Sequence, residues 1–301
     1  MPIDFAAGHG RGLDRTLVLG GGGVYFIAWQ TAYLAAAADG GVDLRRAERV
    51  IGTSAGSLVG SLLCAGRIGH LARLADLFTR ATGLVSFLAP VGDLSHSQSR
   101  AATMFVEAAD ADPATLRAIG HAALAAQTPS ARTMRRNIGL LVDFRRWPGA
   151  DDQLHIVCID TFTGERVVVT KHTGVRPTTA VAASSALPGI YAPQPIRDRR
   201  CMDGGVSGTG THCDLVAGSQ RAVVLSLGPD APASRAMLTS PVDAMVREMA
   251  SLRASGTAVL HRWPTIPEGF DLMSPDTLEE GLAAGRRQAE EDLRQLREFW
   301  V

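Results

Sequence analysis

Lysine is almost missing from this chain: Lys171 is the only one among 30 basic residues, so amine chemistry has a single candidate. Cysteine is scarce too. Cys64, Cys158, Cys201 and Cys213 form no C-x-x-C pair and no regular spacing, which argues against a disulfide framework or a zinc site and fits a reducing, cytoplasmic setting. No glycine precedes the lysine, so a Walker loop is excluded. Charge of one sign is absent as well: 30 basic residues cancel 30 acidic ones, leaving no global pull toward nucleic acid or an anionic membrane. The most apolar stretch, Val24 to Ala38, contains Gln30 and Thr31 and falls short of the ~20 residues that cross a bilayer. Met1 to Arg15 has no apolar core, which speaks against a secretory signal. Contact with lipid is then expected to be local and transient, from one side of a membrane.

What is present is enough apolar side chain for a large core: 46% of the residues are hydrophobic and the mean hydropathy is +0.08. The 301 residues fit one or two domains. We read residues 1–14 as a flexible tail and 15–301 as one domain. Arg15 to Gly20 is a short aliphatic run ending in four glycines and followed by an apolar helix. Arg49 to Gly52 is a second strand, and Thr53 to Ser57 turns into another small-residue helix. Strands alternating with helices predict a mainly parallel sheet covered on both faces. From about 67 to 147 the texture becomes alanine-rich and arginine-punctuated, a helical insertion. Leu154–Ile159 and Arg166–Thr170 read as a hairpin, Pro177–Ala186 as a helix stopped before Pro188, and Arg199–Met202 as a strand entering Asp203. Ala222–Leu227 is a buried strand. From Ser274 a helix begins, with Leu278, Leu282, Ala289, Leu293, Leu296 and Trp300 on one face.

Gly52-Thr53-Ser54-Ala55-Gly56 is a G-x-S-x-G between a predicted strand and a predicted helix, the context in which the pattern denotes a nucleophile elbow. The sharp turn brings neighbouring backbone close, so small residues flank a serine lifted above the sheet beside amides at a helix start. An ordinary glycine- and serine-rich cap explains the pentapeptide about as well on its own. The run Gly20 to Gly23 tips the balance, because consecutive glycines expose amides that suit an oxyanion. A dinucleotide loop is disfavoured, since the register needs glycine where Tyr25 or Phe26 stands. For the base, eight histidines, Lys171 and several acids compete. Asp203 stands out, closing a strand before Gly204-Gly205, although an Asx turn would read the same way. An ordinary aspartate is a weak base, so this role requires a short contact and burial.

These residues resemble the patatin-like phospholipase family of serine acyl hydrolases. Gly20 to Gly23 is similar to the family's oxyanion loop, Gly52 to Ser57 to its elbow, and Asp203-Gly204-Gly205 to its dyad turn. Ser184-Ser185-Ala186-Leu187-Pro188 is similar to the segment before that turn. The resemblance reaches from about Leu17 to Leu227. It implies a three-layer αβα sandwich with a mainly parallel central sheet. It also implies Ser54 as nucleophile, Asp203 as base, and Gly21, Gly22 and Gly23 as the oxyanion hole. Gly52 and Gly56 would support the elbow, and Gly204 and Gly205 the dyad turn. The implied substrate is a lipid or acyl ester, cleaved through an acyl-enzyme in a phospholipase A, lysophospholipase or esterase reaction.

No calcium loop or histidine cluster is visible, so no metal or cofactor is expected. One departure is Tyr25-Phe26, where the family's loop carries a basic residue and then glycine. A bulky pair there would narrow the acyl pocket or misplace the amides, leaving a weak enzyme or a lipid-binding protein. A Ser-Asp-His triad would use His212, read as a turn or wall residue, or His261, read as a helix end. A Ser-Lys pair would need Lys171, read as an exposed strand-end cation. Phe78, Leu84, Phe87, Leu88 and Trp147 of the insertion are candidates to line an acyl channel or form a lid.

Overall fold

A computed structural model of the chain describes residues 2–69, 93–108, 110–142, 146–229, 243–266 and 270–301. The first two strand-glycine-helix units form as their patterns dictate. They are β1 (Arg15–Leu19) with α1 (Gly23–Asp39), and β2 (Arg49–Gly52) with α2 (Ala55–Cys64). Among the described residues, three insertion helices come next: α3 (His96–Val106), α4 (Pro113–Ala125) and α5 (Ala131–Gly139). Each starts where a side chain satisfies orphaned helix amides. Ser95 makes a capping box with Gln98, Asp112 caps ahead of Pro113, and Ser130 accepts from the Thr133 amide. Phe78, Leu84, Phe87 and Leu88 lie outside the described residues. Trp147 is anchored by its indole N–H on the Val175 carbonyl at 2.8 Å.

The hairpin forms as β3 (Leu154–Asp160) and β4 (Arg166–Val169). After it come α6 (Pro177–Ser184), β5 (Gln194–Ile196), β6 (Arg199–Asp203), β7 (Arg221–Leu225), α7 (Ala244–Ala254), β8 (Ala258–Arg262) and α8 (Leu278–Trp300). Among the described residues the sheet order is β5-β6-β3-β2-β1-β7-β8, with β4 on the other edge of β3. The run from β3 to β8 is parallel, whereas β4 and β6 are antiparallel to β3 and β5 is antiparallel to β6. The sheet is therefore mixed and mainly parallel.

Alternate side chains of each central strand feed two cores. Leu17, Leu19, Val50, Ile156 and Val223 pack with α1, α2, α6 and α8 on one face. Val18, Ile51, Val157 and Val224 pack on the other with Leu215, Val216 and Met245, Met249 and Leu252 of α7. Helices thus cover both faces, as a parallel sheet requires. Each fully buried aliphatic side chain of this kind contributes about 1.5–3 kcal/mol. The predicted face of α8 lies on α1, and its glycines let the two backbones touch. A Cβ on Gly281 would stand 2.8 Å from the Tyr25 carbonyl oxygen. Among the described residues no helix is long and apolar enough to cross a membrane.

Several elements differ from the sequence-based expectation. β5, α7 and β8 are additional to it, and His261 lies inside strand β8 instead of at a helix end. α6 stops at Ser184, two residues early, because the Ala186 and Leu187 amides bond to the Ala183 and Ser185 carbonyls in place of the next helical rungs. Residues 2–14, expected to form a loose tail, are tied to the body: the Asp4 amide donates to the Asp214 carboxylate at 3.0 Å and the Gly10 amide to the Ala217 carbonyl at 2.8 Å. Lys171 sits in a 3-10 turn and pairs with Asp151.

Candidate active site

Sheet topology brings the elbow and the aspartate turn together. β2 pairs with the first half of β3, ending with Gly52 opposite Ile156. β6 pairs with the second half, ending with Asp203 opposite Cys158. Since β4 occupies the other edge at both positions, β2 and β6 share one edge of β3 and run head-on toward each other. Their ends face the gap at Val157. The turn that leaves β2 must therefore meet the turn that leaves β6.

Beyond Gly52 the chain turns sharply at Ser54, which has φ 52° and ψ −120°. That region is nearly closed to residues with a Cβ and costs about 1–3 kcal/mol, sustained by its surroundings. Small neighbours make it sterically feasible. A Cβ on Gly52 would lie 2.7 Å from the Ser57 Cα, and one on Gly56 would overlap the Leu19 carbonyl. Across the gap, a Cβ on Gly204 would lie 2.6 Å from the Val157 oxygen and 2.8 Å from the Thr53 methyl. Thus the elbow glycines and Gly204 are there for close approach.

The Ser54 hydroxyl donates to Asp203 Oδ2 at 2.8 Å. The other carboxylate oxygen, Oδ1, accepts from the Gly205 amide at 2.7 Å. Asp203 is only 2% exposed and Ser54 8%. Burial pushes the Asp203 carboxyl up to about 7, against the lowering pull of its hydrogen bonds from Gly205 and Ser54. A hydroxyl and a carboxylate so placed can pass a proton between them, and the raised carboxyl is a far better base than a solvated aspartate.

The glycine run lies beside this pair. The Gly20 amide is spent on the Leu225 carbonyl and the Tyr25 amide on Leu272. Among the described residues no acceptor is bonded to the amides of Gly21, Gly22 or Gly23. Gly21 is close enough that an added Cβ would stand 3.2 Å from the Ser54 Cβ. Gly22 at φ 147° and Gly23 at φ 69° adopt backbone that side chains resist. Gln30, a buried polar residue on α1, fixes the loop from below, its amide donating to the carbonyls of Gly20 at 2.9 Å and Leu225 at 3.2 Å.

Ser54 and Asp203 open into a cleft of about 590 Å³, mouth included, walled by Val24, Ile27, Leu58, Met134, Ile138, Leu187, Tyr191 and Met273. The apolar lining, with a few convergent polar groups, suits an acyl chain. Part of one wall comes from α5, which the sequence marked only as insertion. Tyr25 and Phe26 are not among the described lining residues. Both are buried, Tyr25 against Phe270 and Phe26 against Trp29. The aromatic pair therefore serves the core and does not narrow the cleft.

The histidines are engaged elsewhere. His212 is buried in a left-handed turn, its Nε2 3.1 Å from the Gly204 carbonyl, and burial with Arg166 nearby pushes it down to about 4. It is neutral, with Nε2–H donating, so it braces the aspartate turn from behind. His261 bonds Ser226 at 2.8 Å, and burial lowers it likewise to about 4. The Ser54 hydroxyl's bonded partner among the described residues is Asp203.

A search of curated protein sequences finds no match. Solved structures similar to this chain include ExoU and VipD. The type III effector protein ExoU is 16% identical, with a TM-score of 0.40 over 94% of this chain and 53% of that one. VipD from Legionella pneumophila is 12% identical, with a TM-score of 0.43 over 94% of this chain and 67% of that one. The chain spans about half the length of ExoU. The family pattern described as patatin-like phospholipase matches residues 17–211, from β1 through the elbow and past Asp203. That match takes in more than half of the chain and every residue of the pair and its glycine loop, and the chain belongs to the patatin-like phospholipase family.

Proposed function

We propose that the protein is a serine hydrolase of lipid acyl esters, working through Ser54 and Asp203 with no imidazole between them. The observation that carries this reading is the 2.8 Å hydrogen bond from the Ser54 hydroxyl to a buried carboxylate whose pKa stands near 7. In the first half-reaction the Ser54 oxygen attacks the ester carbonyl while Asp203 takes its proton. The carbonyl oxygen becomes an oxyanion beside the unengaged amides of Gly21, Gly22 and Gly23. Collapse expels the alcohol, which receives the proton from Asp203. Water then gives a proton to Asp203 and attacks the acyl-serine, and release of the fatty acid restores both side chains.

The apolar cleft supports a long acyl chain over a small polar one. Loss of one oxyanion donor costs about 3–4 kcal/mol in enzymes of this type, so several aligned amides offset the modest strength of a carboxylate base. The test compares wild type, Ser54→Ala, Asp203→Asn and His212→Ala on p-nitrophenyl esters and phospholipid micelles. Removal of either member of the pair is expected to lower kcat by roughly 10³-fold or more. Hydrolysis by Ser54→Ala at the wild-type rate would end the acyl-enzyme reading. Loss on His212→Ala with Asp203→Asn retained would replace the pair by a triad.

A further inference from the structure

The strained peptide of Ser54 is held at both of its polar atoms by other serines. Its amide donates to Ser184 Oγ at 2.9 Å, and the Ser184 hydroxyl in turn donates to the Val157 carbonyl at 2.6 Å. Its carbonyl accepts from the Ser57 hydroxyl at 2.7 Å and from the Ser57 amide at 2.9 Å. Ser57 and Ser184 are both fully buried. Val157 is the residue left facing the gap between the ends of β2 and β6, so its carbonyl has no strand opposite to supply a donor. The Ser184 hydroxyl supplies it. One side chain thereby completes the hydrogen bonding of β3 and fixes the elbow.

We infer that Ser184 is a positioning residue: its hydroxyl bridges the break in the sheet, locks the Ser54 peptide in its positive-φ conformation and so aims the Ser54 side chain at Asp203. This rests on the hydrolase reading above. The role needs a hydroxyl and nothing else of similar size. Alanine has neither donor nor acceptor, so the Ser54 amide and the Val157 carbonyl would both lose a buried partner. The elbow would then rotate toward an easier backbone conformation, and the Ser54 hydroxyl would leave Asp203. Because that hydrogen bond lowers the Asp203 pKa, its loss would move the acid limb of the pH–rate profile upward. Ser57 plays the lesser part, since the Ser54 carbonyl keeps backbone donors without its hydroxyl.

Ser61 provides the control. It is equally buried on α2 and makes a hydroxyl bond of the same kind, to the Ser57 carbonyl at 2.7 Å, but touches neither Ser54 nor Asp203. The experiment measures kcat and KM on a short p-nitrophenyl ester, the pH profile, and amide hydrogen exchange at Ser54 in wild type, Ser184→Ala, Ser184→Thr, Ser57→Ala and Ser61→Ala. Ser184→Ala should lower kcat roughly 10–100-fold with KM within about two-fold, raise the acid limb and speed Ser54 exchange by about ten-fold or more. Ser184→Thr should restore most of each, Ser57→Ala should fall between, and Ser61→Ala should match wild type. If Ser184→Ala does not fold, Ser184→Cys, with a weak donor and acceptor in nearly the same volume, carries the same comparison. Equal effects of Ser184→Ala and Ser61→Ala, or unchanged Ser54 exchange in Ser184→Ala, would overturn the inference. A wild type inert to the ester and to a fluorophosphonate would overturn the hydrolase reading instead, and exchange would still decide the clamp.

Discussion

Asp203→Asn should make the protein more stable, and increasingly so as pH rises. The folded carboxyl stands near 7 against an ordinary value of 3.8, mainly because burial penalises its charged form. A group whose folded pKa is raised contributes most to stability below its unfolded pKa, and that contribution drains away as pH climbs to the folded value. The gap is a little over three pH units at 1.36 kcal/mol each, so above pH 8 the ionised carboxylate costs on the order of 4 kcal/mol. At pH 5 the folded group is still protonated, and the cost is about 2 kcal/mol. An asparagine has no such cost at either pH, can keep the acceptor for the Gly205 amide and can donate to Ser54 through its amide group. Its advantage over aspartate should therefore grow by about 2–3 kcal/mol between pH 5 and pH 8.5, roughly 4 °C in Tm for a chain of this length. Urea unfolding of both proteins at the two pH values measures this directly. An advantage that is the same at both, or a loss that deepens with pH, would refute the claim that Asp203 is a strained, desolvated base.

The same shift sets the pH dependence of turnover: ester hydrolysis should rise through a single ionisation near pH 7 and level off above it, since only the ionised carboxylate accepts the serine proton. The glycine loop separates two kinds of damage. Gly21→Ala places a methyl 3.2 Å from the Ser54 Cβ and should cut kcat/KM at least ten-fold while leaving Tm within a few degrees of wild type. Gly22→Ala, at φ 147° and overlapping the Phe26 ring, should cost stability first, read as a Tm loss larger than that of Gly21→Ala. Gln30→Leu strips the side-chain donor from the Gly20 and Leu225 carbonyls; Leu225 keeps the Gly20 amide, so stability should fall by about 1–3 kcal/mol for the Gly20 carbonyl left bare, with urea unfolding as the measurement.

The turns that carry Ser54 and Asp203 are legible because their patterns are local. Gly52 to Gly56 and Asp203-Gly204-Gly205 each announce a tight turn at a strand end, and steric closeness forces small residues there whatever the rest of the fold does. The strands β1, β2, β3 and β7 were legible as aliphatic runs, and α8 by its spaced apolar face. The remaining elements depend on distant partners. β5 has three residues, one of them Pro195, and exists only because β6 pairs with it. β8 takes its form from β7, so Leu260-His261-Arg262 by itself looks no more like a strand than like a helix end. Ser184 shows the same limit at the scale of one atom. A serine in a run of alanines reads as a small helix residue, and nothing nearby in sequence says that its hydroxyl meets an amide 130 positions away. Phe26 misled in the opposite direction. Next to the glycines it suggests an obstructed loop, yet helical phase turns its ring under Gly22 and into the core.

The head-on meeting of β2 and β6 also explains how a carboxylate comes to lie against the Ser54 hydroxyl. In a sheet with β2 and β3 fully paired, the edge of β3 beyond Gly52 would be filled by more strand, and an acid could reach the serine only from a loop. The antiparallel entry of β6 instead delivers Asp203 along the same edge, at the end of a strand whose register is fixed by Cys158 and Ile159. The carboxylate arrives buried and with one oxygen already tied to Gly205. Burial raises its basicity, and the remaining oxygen accepts the hydrogen bond from Ser54. The missing side chain of Gly204 is what lets the two turns touch, since a Cβ there would meet the Val157 oxygen and the Thr53 methyl. His212, buried behind the turn and pushed down to about 4, is left with the task of holding that glycine's carbonyl in place.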